Sequence, residues 1–400
     1  MRILILCDVR WFNANAWHAV GLAEALDRAG HDVWFAARAD SPPGRHAAAR
    51  GVRVVDLPLE RAGPLTLLRG VHRLAALARA ERIEVFDAHR SEGFLAAALA
   101  ARRVGRPLAV VRTRSDVRAP KGHWLNRLLH RRGAHAIGAA ASFMCAEFAA
   151  LGVGRDRIRV VHPGVMLEHF SPGAARDEAA ALRAELTAAG GAATPAAAGA
   201  AGAAGAAAPL IGVVGRLTAV KGHVHFVDAA ARLARAWPDA RFVIAGEAWD
   251  VSRAELKQRA VSHGIEDRLR FLGRLPDVRP LLEALDVVVV PSTGSEAVSR
   301  VALEAMALAR PVVASAVGGL PELLDEGAGV LVPPGDAAAL AAALDGLLRD
   351  PAAAAELGRR GRRRLEARFT RDRAARATVD LYTDALRRAA RGRSGKEGTG

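Results

Sequence analysis

Short apolar runs alternate with amphipathic helical segments along most of the chain, and this alternation restricts the folds open to it. The first series includes the runs RILILCD, HDVWFAA and GVRVVDLPL, with AWHAVGLAEALDRAG between the first two. Apolar strands that alternate with helices are typical of a parallel sheet covered on both faces. The first part of the chain therefore predicts an α/β domain with a Rossmann-like βα arrangement.

A second series of the same kind includes LIGVVGRL, RFVIAGE, DVVVVPS and PVVASAVG. Residues 187–209 lie between the two series and are low-complexity Ala/Gly sequence, which predicts a flexible linker or a surface insertion. We expect an N-terminal domain over residues 1–170, a linker region over 171–209 and a C-terminal domain over 210–370. A helix at about 371–390 is expected to pack back on the N-terminal domain.

Charge and cysteine content narrow the class of protein. The net charge is +15, with 57 Lys+Arg against 42 Asp+Glu. This balance attracts polyanions, although arginine- and alanine-rich composition also follows from a GC-rich genome. Cys7 and Cys145 provide neither a disulfide framework nor metal-ligand spacing. Because the opening MRILILC is also too short for a signal or membrane segment, we expect a soluble cytoplasmic protein.

The stretch GRLTAVKGH, residues 215–223, follows a predicted buried strand. A glycine-bearing turn in that position lies at the carboxyl edge of the sheet, where open α/β folds bind ligands. Arg216 and Lys221 place two cations there, which suits a diphosphate. The alternative is that both are solvated bases on a loop.

The stretch SEAVSRVALEAMALARPVVASAVGGLPE carries two glutamates, Glu296 and Glu304, separated by seven residues. Ser299 is a suitable cap for a helix that runs to about Ala309. Glu296 would then lie in the strand-to-helix loop, beside backbone amides that can bind an anion, and Glu304 would lie on the helix. Two such carboxylates can each accept hydrogen bonds from a set of sugar hydroxyls. The alternative is a helix-dipole role for Glu304 and a plain loop position for Glu296.

With these motifs, the chain resembles the GT-B glycosyltransferases, specifically the large retaining class called family 4. The resemblance is carried by GRLTAVKG, FVIAGE, FLGRLPD and the E-x7-E stretch, and it extends more weakly to MRILILCD, FDAHRSEG and RIRVVHPGVMLEHFSP. It implies an α/β fold of two Rossmann-like βα domains facing across a cleft. It also implies a transferase that takes a sugar from a UDP-, GDP- or ADP-linked donor.

The resemblance implies a role for each matching residue. Arg216 and Lys221 would contact the donor diphosphate, Glu296 the donor sugar and Glu304 the donor ribose. His89, which follows the strand IEVFDA, would reach the donor sugar. The remaining expected donor contacts are glycines and backbone amides: Gly215, Ala297, Val298, Ser299, Arg300, Gly318 and Gly319.

The chain also departs from the family pattern. Family members often have Gly-Gly after the first strand, where this chain has Asn13, Asn15 and Ala16. Small or amide side chains can still face a phosphate at a helix start, so Asn15 is kept as a donor-binding candidate. Ala297 replaces a usual glycine, and Arg300 stands at a position that is often small or apolar. The sugar is therefore not readable from the sequence.

The implied mechanism retains configuration at the anomeric carbon without a covalent carboxylate nucleophile. The acceptor hydroxyl attacks the face from which the diphosphate leaves, and the protein supplies charge stabilisation and positioning. No Asp-x-Asp motif occurs, so we expect no metal and no other cofactor.

The segment 112–132, RTRSDVRAPKGHWLNRLLHRR, is strongly basic. Trp124, Leu125, Leu128 and Leu129 fall on one helical face, which is typical of a helix that lies on an anionic membrane surface. An anionic acceptor, such as a phosphorylated lipid core, would suit it equally. The alternative is an ordinary helix that packs its leucines inward. A second arginine run, residues 359–368, predicts a solvated helix face.

The leading hypothesis is a retaining glycosyltransferase in cell-envelope glycan or lipopolysaccharide core assembly, peripheral at the inner face of the plasma membrane. One rival is a sugar-nucleotide epimerase of the same fold, whose motifs are not found. Another is a basic nucleic-acid-binding protein, but no nucleic-acid module is visible, so we expect no nucleic-acid partner. A dinucleotide dehydrogenase is disfavoured because no G-x-G-x-x-G follows the first strand.

Overall fold

The computed structural model describes residues 1–57, 63–188, 208–294 and 296–397. The chain divides into two compact units. The first consists of residues 1–164 together with the chain from Phe369 onward, and the second of residues 165–368. Each unit contains a parallel β-sheet, which confirms the α/β prediction.

The strands are short, as their apolar runs suggest. In the first unit they are β1 (Arg2–Leu6), β2 (Asp32–Ala37), β3 (Arg53–Asp56), β4 (Val85–Ala88), β5 (Ala109–Arg114), β6 (Ala136–Ala139) and β7 (Ile158–Val160). In the second unit they are β8 (Leu210–Val214), β9 (Arg241–Ala245), β10 (Leu269–Leu272), β11 (Val287–Val290), β12 (Val312–Ser315) and β13 (Val330–Val332).

Helices connect these strands. They are α1 (Ala14–Arg28), α2 (Pro42–Ala48), α3 (Pro64–Ala80), α4 (Ser91–Ala101), α5 (Trp124–Gly133), α6 (Phe143–Ala150), α7 (Arg176–Thr187), α8 (His223–Ala236), α9 (Arg253–Ser262), α10 (Arg279–Ala284), α11 (Arg300–Ala307), α12 (Leu320–Leu323), α13 (Ala337–Arg349), α14 (Pro351–Arg368) and α15 (Arg371–Glu397). In the described part of the chain, no helix is both long and apolar enough to span a bilayer.

The strand order shows where each unit can bind a ligand. The first sheet runs β3-β2-β1-β4-β5-β6-β7 and the second β10-β9-β8-β11-β12-β13. The direction of winding therefore reverses between β1 and β4 in the first unit, and between β8 and β11 in the second. Ligands of open α/β sheets bind outside the carboxyl ends of the strands at such a reversal. The loops that follow these four strands are the places to look for a site.

The first sheet is buried on both faces, and its alternating side chains separate two cores. Ile3 and Ile5 pack on one face with α1 and with Tyr382 of α15. Leu4 and Leu6 pack on the other face with α3 and α4. Because one strand supplies both cores, its sequence is a continuous apolar run rather than an alternating one.

Part of the region predicted as a linker is a helix of the second unit. Helix α7 packs on α10, and Arg183 donates to Asp286 Oδ2 at 2.9 Å and to the Ala284 carbonyl at 2.6 Å. The linker prediction is therefore wrong for residues 176–187. The rest of the Ala/Gly tract, residues 189–207, lies outside the described residues.

The arginine run of α14 is only partly a solvated face. Arg359 and Arg363 are exposed and pair with Glu356. Arg364 is buried and donates to the carbonyl groups of Leu323 and Glu322 at the end of α12. The prediction of a solvated face is wrong for Arg364, because its guanidinium donates to backbone carbonyl groups at a helix end, where the helix itself supplies no donor.

Candidate functional site

The loop after β8 is held against the end of β11. Gly222 has a φ of 69°, and a Cβ at this position would lie 1.9 Å from the Pro291 carbonyl oxygen. Glycine adopts this left-handed conformation without strain, and only glycine permits so close an approach. The Thr293 amide donates to the Val220 carbonyl at 2.9 Å. Lys221 is thereby placed beside the loop that carries Glu296.

Glu296 is a buried carboxylate with two side-chain partners. Lys221 forms an ion pair with its Oε1 through Nζ, and the Ser292 hydroxyl donates to the same oxygen at 2.7 Å. Buried carboxylates require such partners, because an isolated charge is strongly disfavoured away from water. The structure thus brings together Lys221 and Glu296, two of the predicted site residues.

The Gly-Gly pair after β12 fixes the backbone of Glu296. Gly318 has a φ of 56°, and a Cβ there would lie 1.9 Å from the Glu296 carbonyl oxygen. The Gly319 amide donates to that oxygen at 2.8 Å. Glycine is therefore required at position 318 because the backbone of Glu296 passes close to it. A contact of Gly318 or Gly319 with the nucleotide stays a prediction.

Helix α11 carries the second glutamate. Its cap is Ser299, whose hydroxyl accepts from the Ala302 amide at 3.5 Å, as the sequence predicts. Glu304 is buried on the helix, and Arg300, one turn earlier, donates through Nε to Glu304 Oε1 at 2.6 Å. Arg300, which departs from the family pattern, is therefore a hydrogen-bond partner of Glu304, the second glutamate of the E-x7-E stretch.

Arg216 lies in the β8 loop and stacks on a tryptophan. Its Cζ lies 4.9 Å from the ring centroid of Trp249, a residue of the loop after β9. Gly215 precedes it and donates to the Ala245 carbonyl at 2.8 Å. Ala297 is buried and Val298 half-buried in the loop after Glu296. The predicted residues of the second half thus lie in the loop after β8, in the loop and helix after β11, or, for Gly318 and Gly319, in the loop after β12.

In the first unit, His89 follows β4 and is fully buried. Its Nε2 lies 3.4 Å from Asp87 Oδ2, to which the Tyr382 hydroxyl donates at 2.6 Å. Burial alone would raise the pKa of Asp87, but His89 and Tyr382 hold it below its usual range. The His18 and His89 rings meet edge to face with their centroids 5.4 Å apart, and burial, followed by the charge of His89, lowers the pKa of His18 to about 3. His18 is therefore neutral near pH 7.

Asn15 is buried near the start of α1 and is engaged at both ends of its amide. Its Oδ1 accepts from the Ser115 hydroxyl at 2.5 Å, and its Nδ2 donates to Asp116 Oδ2 at 3.2 Å. Asn13 caps the helix by accepting from the Ala16 amide at 3.1 Å. These contacts position the loop after β5, and a phosphate contact by Asn15 stays a prediction.

Asp8 was not identified from the sequence, although it lies two residues after the end of β1, at the β1/β4 reversal. It is buried, and neither carboxylate oxygen has a hydrogen-bond partner among the described residues. Burial, followed by the charge of Glu92, raises its pKa from 3.8 to about 6, against the opposing effect of Arg90 and Arg112. An acidic residue in the loop just after a central strand is the signal that could have revealed it.

We expect Asp8→Asn to change how stability depends on pH. The folded-state pKa of Asp8 lies above the usual value, so the folded protein binds this proton more tightly than the unfolded chain does. The stability that the bound proton contributes is lost as pH rises from about 4 through 6. Ionised Asp8 then lowers the free energy of unfolding by on the order of 2–3 kcal/mol at pH 7. Chemical denaturation at pH 4–8 should show the free energy of unfolding of the variant gaining on that of the wild type between pH 4 and 7. A difference independent of pH would contradict this expectation.

No group of three or more His, Cys, Asp or Glu side chains with a geometry suited to a metal ion occurs within the described ranges. Independence from metal remains a prediction that only activity measurements can test.

Comparison with known proteins identifies the family. Residues 15–164 match the family model described as "Glycosyl transferase 4-like domain", and residues 208–350 match "Glycosyl transferases group 1". A D-inositol 3-phosphate glycosyltransferase of Xylanimonas cellulosilytica is 32% identical over 93% of this chain and 91% of its own length. An alpha-D-kanosaminyltransferase of Streptomyces kanamyceticus is 35% identical over 36% of this chain and 37% of its own length.

A solved structure shows the same fold. Anabaena Alr3699/HepE, crystallised in complex with UDP, superimposes with a TM-score of 0.80 at 22% identity, covering 96% of this chain and 100% of that one. With both sequence models matched and one relative similar over nearly its full length, the chain belongs to the GT-B glycosyltransferases.

Proposed function

We propose that the protein is a retaining, family 4 glycosyltransferase that takes its sugar from a nucleotide-sugar donor bound by the second unit. The observation that carries this proposal is the pairing of buried Glu296 with Lys221 at the β8/β11 reversal, with buried Glu304 eight positions further on. The neighbour Alr3699/HepE, whose structure contains UDP, supports a nucleotide in this fold.

Lys221 and Arg216 would bind the donor diphosphate. Both lie in the loop after β8, and a cation aimed at the leaving phosphate stabilises the charge that develops there. In the structure, Lys221 is paired with Glu296. A diphosphate carries more charge than one carboxylate, so we expect the ammonium to move toward the donor.

The two glutamates would then bind hydroxyls. Glu296 exchanges the ammonium for hydroxyl groups of the donor sugar while it keeps the Ser292 contact. Glu304 accepts from the ribose hydroxyls, which compete with Arg300 for its Oε1. Each exchange replaces one donor to a buried carboxylate with another, so neither acid is left without a partner.

The remaining assignments follow the family pattern. The amides from Ala297 to Arg300 would approach the sugar and phosphate, and Gly318 and Gly319 would border the nucleotide. His89 would contact the donor sugar, and Asn15 would lie near a phosphate. No step requires a metal.

In the proposed reaction the bond between the anomeric carbon and the leaving phosphate oxygen breaks. The acceptor hydroxyl oxygen forms the new bond on the same face, which retains configuration. The hydroxyl proton passes to an oxygen of the departing diphosphate, so no carboxylate acts as a covalent nucleophile. The contribution of the chain is positioning and charge stabilisation.

The proposal is tested by screening the protein against UDP, GDP, ADP and their sugars by thermal shift, followed by turnover with candidate acceptors. We expect one base to raise the melting temperature, and free nucleoside diphosphate to be released at the catalytic rate only when acceptor is present. Conversion of the nucleotide sugar without an acceptor would instead indicate an epimerase.

We propose an anionic cell-envelope acceptor, such as a lipid-linked or lipopolysaccharide core glycan, reached from the cytoplasmic face of the membrane. Helix α5 supports this, because Trp124, Leu125 and Leu128 are 74%, 55% and 39% exposed, while Leu129 packs against the core. The exposed bases around them are Arg118, Lys121, Arg127, Arg131 and Arg132. Exposed apolar residues bordered by bases are typical of a helix that lies on an anionic bilayer.

The triple change Trp124→Ser, Leu125→Ser and Leu128→Ser should weaken binding to vesicles containing phosphatidylglycerol at least tenfold, because three apolar side chains no longer enter the bilayer. Vesicle co-sedimentation measures this. The matched control is Leu65→Ser with Leu68→Ser on α3, whose side chains are also exposed and should not affect binding. Equal binding by the wild type and the triple variant would exclude this surface.

A further inference from the structure

The loop after β9, residues 246–251, carries a tryptophan that burial does not explain. Trp249 is 62% exposed. An exposed indole gains little from the hydrophobic effect. Its one ring contact among the described residues is with Arg216, a side chain that the proposed function places on the donor diphosphate.

Backbone hydrogen bonds tie this loop to the β8 loop. The Leu217 amide donates to the Glu247 carbonyl at 2.8 Å, and the amides of Trp249 and Val251 both donate to the Leu217 carbonyl at 3.2 Å. Leu217 and Ala248 form a short parallel bridge. The backbone of Trp249 is thereby fixed next to the residue that follows Arg216.

A side chain of the same loop fixes the other end of the β8 loop. Asp250 Oδ1 accepts from the Ala219 amide at 3.0 Å. Leu217, which takes part in the backbone bonds, is buried in the core of the second unit. The loops after β8 and β9 are therefore held together by hydrogen bonds, and the indole of Trp249 extends from a fixed backbone.

The geometry of the stack suits a guanidinium that must bind an anion. The 4.9 Å between Arg216 Cζ and the ring centroid lies within the range of a cation–π contact. The five N–H donors of a guanidinium lie in its own plane, so a contact of Cζ with a ring leaves donors available to an anion. The stack also restricts a long side chain that would otherwise lose its rotational freedom when the diphosphate binds.

We infer that Trp249 is a positioning residue, which preorganises Arg216 for the donor diphosphate. This inference rests on the proposed function, because it requires that Arg216 contact the diphosphate. It predicts that the aromatic face at position 249 matters, rather than its apolar bulk, and that Trp249 acts only through Arg216.

Isothermal titration with whichever of UDP, GDP and ADP the wild type binds tests this. Trp249→Leu should raise Kd about fourfold, as expected for the loss of one exposed cation–π contact. Trp249→Phe keeps an aromatic face and should stay within about twofold of the wild type. Arg216→Gln should raise Kd about tenfold or more, and adding Trp249→Leu to it should change nothing further.

Three results would overturn the inference while leaving the proposed function intact. They are wild-type affinity in Trp249→Leu, equal weakening by leucine and phenylalanine, and an undiminished effect of Trp249→Leu in the Arg216→Gln background. The last would show that the indole touches the nucleotide directly. If the wild type binds none of the three nucleotides, the proposed function fails and the inference fails with it.

Discussion

Replacing Lys221 with alanine is expected to lower the rate of sugar transfer about 10²–10³-fold, the usual effect of removing one donor aimed at developing charge. The leaving diphosphate would lose the cation that the loop after β8 holds at the sheet reversal. Initial rates at saturating donor and acceptor measure the effect. Lys257→Ala is the matched control, because Lys257 is an exposed lysine of α9 in the same unit, and it should retain full activity.

The same substitution leaves Glu296 with Ser292 alone, so a loss of stability must be separated from a loss of catalysis. Because Lys221 is 31% exposed, we expect the free energy of unfolding to fall by only about 1–2 kcal/mol. The double variant Lys221→Ala with Glu296→Gln removes the unpaired charge and should recover that stability without recovering transfer. Near-normal turnover by folded Lys221→Ala would contradict the assigned role.

Replacing Glu304 with alanine is expected to weaken binding of the nucleoside diphosphate about 30–100-fold, since the ribose would lose hydrogen bonds to a charged, buried acceptor. Glu304→Gln keeps the shape of the side chain and therefore serves as a control for misfolding. We expect it to weaken nucleotide binding about tenfold, because the hydrogen bonds to the ribose are then accepted by a neutral group. Titration calorimetry gives both affinities.

The second half of the chain offers a matched pair for this test. Arg362 and Glu366 repeat the Arg–Glu spacing of Arg300 and Glu304, with the same 2.6 Å from Nε to the carboxylate oxygen, but Glu366 is exposed. Glu366→Ala should therefore bind nucleotide as the wild type does. If Glu304→Ala also binds normally, Glu304 serves only the helix and the ribose assignment is wrong.

The alternation of short apolar runs with amphipathic helical segments is sufficient to predict both sheets, because parallel strands buried on two faces are short and continuously apolar. The helix after Ser299 is predicted for a similar reason, since its cap and its stop are local signals. The attachment of helix α7 to the second unit is not predicted, because it depends on the contact of Arg183 with Asp286, 103 residues away.

The sequence predicts the pairing of site residues only where they are close along the chain. Arg300 and Glu304 are one helical turn apart, so their contact could have been anticipated from spacing alone. The pairing of Lys221 with Glu296 depends on two loops that meet only because Gly222 lies against Pro291. Trp249 has no local signal, since its importance comes from a partner in a different loop.

The central claim is that the second unit binds a nucleoside diphosphate on Lys221, Arg216 and Glu304. A crystal structure of the protein with the nucleotide that stabilises it most tests this directly. We predict the diphosphate within hydrogen-bond distance of Lys221 Nζ, the ribose hydroxyls on the Glu304 carboxylate, and Glu296 released from the lysine. Nucleotide bound elsewhere, with Lys221 still paired to Glu296, would contradict the account.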